Sequence, residues 1–189
     1  MASTTPITLT KSFPLAYGTT LSQTFWISTF AILTAIGAQI EIPHHPVPYT
    51  FQTLVVLLAG AFLGPRNGFI SMAMYLALGV LGLPVFSGSG FGLARILGPT
   101  GGYLLAFPLA AFVVGTLVPL RRQFAWTLCS MFVGLLIIFS IGTLQLNAVY
   151  FHDWSAAFRA GFLIFSWWDL LKLSAAAAIY RQFTVGWKT

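Results

Sequence analysis

The sequence predicts an all-α membrane protein with six transmembrane helices. Three observations carry that expectation. Of 189 residues, 58% are hydrophobic and only 6% are charged, with a mean hydropathy of +0.88, whereas soluble domains carry about 25% charged residues. Apolar stretches near the length of about 20 residues that crosses a bilayer recur along the whole chain. The charges also alternate by side in a way that only an even number of crossings preserves.

The polar stretch 1–23 lacks a basic start, apolar core and small-residue cleavage site in sequence, so it reads as a cytoplasmic leader rather than a signal peptide. The transmembrane domain is expected over 24–183, with spans near 24–42, 50–64, 67–83, 101–120, 124–150 and 156–181, and a cytoplasmic tail at 184–189. The second span is short. Between the third and fourth lies 84–100, LPVFSGSGFGLARILGP, apolar yet rich in Gly and Pro. Irregular backbone at membrane depth persists only where protein or a water-filled cavity satisfies its polar groups, so this outer loop is a candidate binding element.

Lys11, Arg66, Arg121, Arg122, Arg181 and Lys188 fall on one side of this topology. Arg95 and Arg159 fall on the other, with Glu41, His44, His45, His152 and Asp153. The positive-inside rule places the first group, and both termini, in the cytoplasm. The nine Lys and Arg are dispersed and form no patch for nucleic acid; the lipid bilayer is the expected surroundings. The single Cys129 sits in an apolar stretch and reads as a small packing residue.

Asp169 and Lys172, in SWWDLLKLSAAAA, are the ionisable side chains that fall well inside a span, three positions apart on one helix face. A charge at membrane depth costs at least about 2.5 to 3.5 kcal/mol, so the pair is either a structural ion pair or the core of a binding site. A carboxylate beside an ammonium suits a ligand with N–H donors and an anionic group. Arg95 supplies a second cation to such a site, or else lies at headgroup level. Trp167, Trp168, Phe86 and Phe91 are candidate apolar walls. Adjacent His44 and His45 do not converge on a metal without further ligands, GSGFG lacks the Lys-Ser/Thr of a P-loop, and three acidic residues give no acid or base pair for catalysis. No metal, cofactor or catalytic residue is expected.

PVPYTFQTL at 46–54, LAGAFLGPRNG at 58–68, YLALGVLGLPVF at 75–86, GPTGGYL at 98–104 and DLLK at 169–172 occur in that order. Together they resemble the BioY family, the biotin-specific substrate-binding (S) components of energy-coupling factor transporters. The resemblance implies a six-helix S-component bundle that captures biotin from outside a prokaryotic plasma membrane. A transmembrane coupling protein and two ATPases would be its partners. It carries ligand contacts onto Asp169 and Lys172, with Asp169 expected on a ureido N–H and Lys172 on the valerate carboxylate. Gln52 and Tyr103 lie in matching motifs near the implied pocket. Where some relatives carry Arg after the GPT-x-G-aromatic motif, this chain has Leu104, and Arg95 is the chemical substitute. Ala31 and Ala35, one turn apart in the first span, match a small-residue pair that meets the coupling protein in S components; packing inside the bundle is the alternative. An S component for another small vitamin, an intramembrane enzyme and an assembly protein are the competing functions.

Overall fold

The computed structural model describes residues 18–163 and 167–186. Most of the expected leader with Lys11, the end of the tail with Lys188, and 164–166 of the last span lie outside the described residues. Helix α1, Thr20–Gln39, starts on a Thr19 hydroxyl that accepts the amide of Ser22. A short antiparallel ribbon follows, β1 Glu41–Ile42 with β2 Tyr49–Thr50. An all-α reading did not foresee it. Pro46 and Pro48 hold the residues before them extended, which favours a hairpin over continued helix.

Helix α2 runs over Gln52–Val80, but Gly64 breaks it with φ 76° and ψ 179°. That conformation is essentially reserved for glycine, and Pro65 then starts the second arm, where a missing N–H costs nothing. The arms fold back on each other. Gln52 Nε2 lies 2.6 Å from the Tyr75 hydroxyl, although a continuous helix would hold residues 23 positions apart at roughly 34 Å. A β-carbon on Gly68 would likewise meet the Gly60 backbone. Gly64→Ala is therefore expected to lower stability by about 1–3 kcal/mol, measurable as a reduced melting midpoint in detergent.

The remaining α-helices are α3 Leu93–Leu97, α4 Gly101–Leu117, α5 Phe124–Leu146, the short α6 Trp154–Ala157 and α7 Trp167–Gly186, with π-helical turns at Asn147–Phe151 and Phe158–Phe162. Among the described residues, four helices are individually long and apolar enough to span, and a fifth span comes from Trp154–Phe162 with Trp167–Thr184, bent by 46°. The fold-back at Gly64 splits one of the four, which gives six crossings. The arm 52–63 is the short second span expected from sequence.

The second arm of α2 runs parallel to α1: Ser71 Oγ donates to Ile27 O at 2.7 Å and Thr34 Oγ1 lies 3.7 Å from Met72 Sδ. Against this pair pack α4, then α5 and α7. The interior is filled by Val56, Leu57, Met72, Tyr75, Val114 and Leu135, while Leu33, Ile70, Leu105, Leu109 and Phe132 face outward, as a bilayer requires. Arg121 lies 4.8 Å over the Trp126 ring and Arg181 5.6 Å over Phe124. A β-carbon at Gly115 would touch Gly64 and Pro65, next to Arg66. These arginines thus share one end of the bundle. The ring of His45 meets Tyr150 at the other end.

Candidate functional site

At that second end, β2, the first arm of α2, α4, α5 and α7 enclose a cavity with about 590 Å³ of space between atoms, part of it open to solvent. Its aromatic and aliphatic walls are Tyr49, Tyr103, Phe107, Ile138 and Phe139. Asp169, Lys172, Gln52, Thr50, Thr53 and Ser87 supply the polar lining.

Asp169 and Lys172 sit together in the first turns of α7, 2% and 3% exposed, with Lys172 Nζ 2.8 Å from Asp169 Oδ1. The ammonium also donates to Thr50 O and Thr53 Oγ1, each at 2.8 Å. Three donors meet three acceptors, so the lysine is fixed by a hydrogen-bonded cage and holds the carboxylate in the cavity wall. A chain of buried hydrogen bonds continues from there. The Thr50 hydroxyl donates to Gln52 Oε1, Gln52 Nε2 donates to the Tyr75 hydroxyl, and Tyr75 donates to Val85 O. Gln52, 4% exposed, thus has both ends of its amide engaged in positioning the wall. Tyr103 turns its ring to the cavity and donates its hydroxyl to Gly161 O at 2.9 Å.

The irregular segment 84–100 forms the roof. Ser87, in the turn Ser87–Ser89, faces the cavity. Arg95, on α3, does not line it. Its Nη2 donates to Ser87 O and Oγ at 3.0 and 3.3 Å, and its buried Nε has no hydrogen-bond partner. The guanidinium opens instead onto an outer vestibule with His45, Phe91, Thr100 and Tyr150, and Thr100 lines both spaces. Gln145 Nε2 pins α3 from below, donating to Ile96 O and Gly98 O. Leu104 is an apolar wall residue.

Asp169, Lys172, Gln52 and Tyr103 come together at one cavity, whereas Arg95, expected to supply a second cation to the same site, lines the vestibule beside it. The walls were assigned less well. Phe86 is fully buried against Tyr75, Phe91 belongs to the vestibule, Trp167 is 72% exposed, and Trp168 stacks edgewise on Phe51. Phe107, Ile138 and Phe139 take their place, and Thr50 and Thr53, within PVPYTFQT, were passed over. Ala31 is a correction of placement: it is wholly buried inside the bundle, so in this conformation a partner cannot touch it, while Ala35 is half-buried at its edge. Among the described residues no three His, Cys, Asp or Glu side chains come together. His44 Nδ1 approaches Val47 O and His45 turns to Tyr150.

Residues 3–188 match the model of the BioY family. The chain is 45% identical over 150 residues to the biotin transporter BioY of Thermotoga maritima, covering 79% of this chain and 88% of that one. It is 44% identical over 156 residues to the probable biotin transporter BioY of Pyrococcus horikoshii, covering 82% and 92%. Its fold is similar to a crystal structure of the S-component for biotin from an ECF-type ABC transporter, with a TM-score of 0.79 and 26% identity over 86% of this chain and 90% of that one.

Proposed function

Because the chain belongs to the BioY family, we propose that it is the biotin-binding membrane subunit of a vitamin-uptake system. The observation that carries this reading is the buried Asp169–Lys172 pair in the wall of a cavity lined by Tyr49, Tyr103, Phe107 and Phe139. A buried ion pair gives little net stability, and at membrane depth it marks a polar pathway or ligand by default. The 2.8 Å contact between the two residues supports a shared role at one end of the ligand over one residue at each end. The ureido ring and the carboxylate of biotin sit at opposite ends of the molecule, so two groups in contact serve one end. A ureido edge offers N–H to the Asp169 carboxylate and C=O to the Lys172 ammonium, which exchanges its hydrogen bond to Thr53 Oγ1 for the ligand. The valerate carboxylate then points toward the vestibule and Arg95, whose unpartnered Nε and bonds to Ser87 support that placement.

In the same reading, a coupling protein and two ATPases supply transport energy, and the arginine-bearing end faces the cytoplasm of a prokaryotic cell with the cavity outside. Arg66, Arg121, Arg122 and Arg181 at that end, against Arg95 and Arg159 toward the other, support that orientation. Titration of the purified chain with biotin, thiamine and riboflavin, without ATP, tests the substrate. Saturable binding of biotin alone is expected, since the site is built within this chain. Binding of one of the other vitamins would move it to another S-component specificity, and no binding by well-folded protein would sink the reading.

A further inference from the structure

The roof of the cavity is held from three sides, and one of the holders is remote from the ligand. Gln39, the last residue of α1, reaches the turn Ser87–Ser89 with both ends of its amide. Its Nε2 donates to Phe86 O at 3.0 Å and to Ala35 O at 3.4 Å. Its Oε1 accepts from Ser89 N at 3.2 Å and Ser89 Oγ at 3.4 Å. The amide thereby pairs with the backbone of the loop as a neighbouring strand would.

The loop needs such a partner. Gly88 has φ 62° and Ser89 has φ 55°, and for serine the left-handed region is disfavoured. Its exposed amide and hydroxyl find their acceptor in Gln39. The base of the loop is independently anchored: Phe86 is fully buried, edge-on to Tyr75 and against Gly79. Val85 O takes the Tyr75 hydroxyl, and Phe86 N pairs with Gly90 O. Arg95 Nη2 holds Ser87 over the cavity from the α3 side, and Ser89, on the far side of the tip, is held by α1 through Gln39.

We propose that Gln39 is a positioning residue that clasps the roof shut and sets how fast the substrate enters and leaves. The proposal rests on the biotin-binding reading of the cavity. Gln39 lines neither the cavity nor the vestibule, so its action runs through the Phe86–Ser89 backbone. Loosening a roof raises both rate constants, because the same opening admits and releases ligand. Loss of a direct contact raises the off-rate alone.

The experiment is stopped-flow association and chase dissociation of labelled biotin with native protein, Gln39→Leu and Gln39→Asn. Asparagine keeps the amide but withdraws it by one methylene, so it controls for the loss of polarity at the helix end. Both variants are expected to dissociate biotin about tenfold faster, to associate faster as well, and to keep the native melting midpoint. Hydrogen exchange at Ser89 N–H is expected to accelerate in both variants without ligand. Unchanged rates, or a faster off-rate alone, overturn the clasp. If native protein binds no biotin, the transport reading fails, and the Ser89 exchange decides the clasp by itself: unaltered exchange overturns it.

Discussion

Lys172→Met is expected to lower biotin affinity by about one to two orders of magnitude, and to lower it equally for biotin and for biotin amidated at its carboxylate. The magnitude follows from losing a charge-assisted hydrogen bond in a site with little water, about 1.5–3 kcal/mol. The equality follows from geometry. Lys172 Nζ is committed to Asp169, Thr50 O and Thr53 at 2.8 Å each, so it works at the Asp169 end of the ligand. The single substitution also strands a buried carboxylate, which costs about 3–5 kcal/mol when an ion pair is broken from one side. Asp169→Asn with Lys172→Met removes both charges and keeps the volume. The double variant is expected to melt close to the native protein and to bind no biotin. Isothermal titration beside thermal unfolding separates the cases. If the free acid loses affinity and the amide does not, Lys172 touches the valerate carboxylate. If the double variant still binds biotin, the pair is structural only.

What was legible in the sequence had a one-dimensional signature. Apolar length and the alternation of Arg66, Arg121, Arg122 and Arg181 against Arg95, Glu41 and Asp153 gave the crossings and their grouping at two ends. The i, i+3 spacing of Asp169 and Lys172 gave their common face, and the cost of a charge at membrane depth singled them out as a binding site or a structural ion pair. The Gly-rich segment 84–100 read as an irregular outer loop, and the structure breaks it into the turn Ser87–Ser89 and the short α3. Partners across the bundle left no such trace. Nothing in sequence says that Thr50 O, 122 residues away in the chain, receives the Lys172 proton. Nor does it say that Phe139, rather than Trp168, walls the cavity. An aromatic near a charged residue in sequence lies on another face of the same helix, whereas cavity walls come from facing helices. Ala31 failed for the same reason: a small residue permits close approach, but only the packing tells whether the neighbour is the chain's own α2 or another protein.

Alanine at Gly60 and Gly115 together is expected to leave little folded protein. Helix propensity alone predicts the opposite sign, since alanine in a helix is favoured over glycine by about 0.5–1 kcal/mol. The packing overrules it. A β-carbon on Gly60 would fall on the backbone of Ala111, and one on Gly115 would fall on the junction of Gly64 and Pro65. A flexible side chain can rotate away from a methyl group; a helix backbone cannot, so α4 and the two arms of α2 must separate. Overpacking costs about 1–3 kcal/mol at each site, and the pair consumes much of a total stability of about 5–15 kcal/mol. The separation also reaches the ligand, because α2 carries Gln52 and Thr53 while α4 carries Tyr103 and Phe107. Added biotin should therefore restore little of the lost melting temperature in the single variants. Leu109→Ala, on the lipid-facing side of α4 and 44% exposed, is the matched control and should melt near the native value. Thermal unfolding in detergent measures all of them. A melting midpoint raised by either glycine substitution would mean that α2 and α4 do not meet backbone to backbone at these residues, and the fold-back at Gly64 that supplies the second and third crossings would fall with that contact.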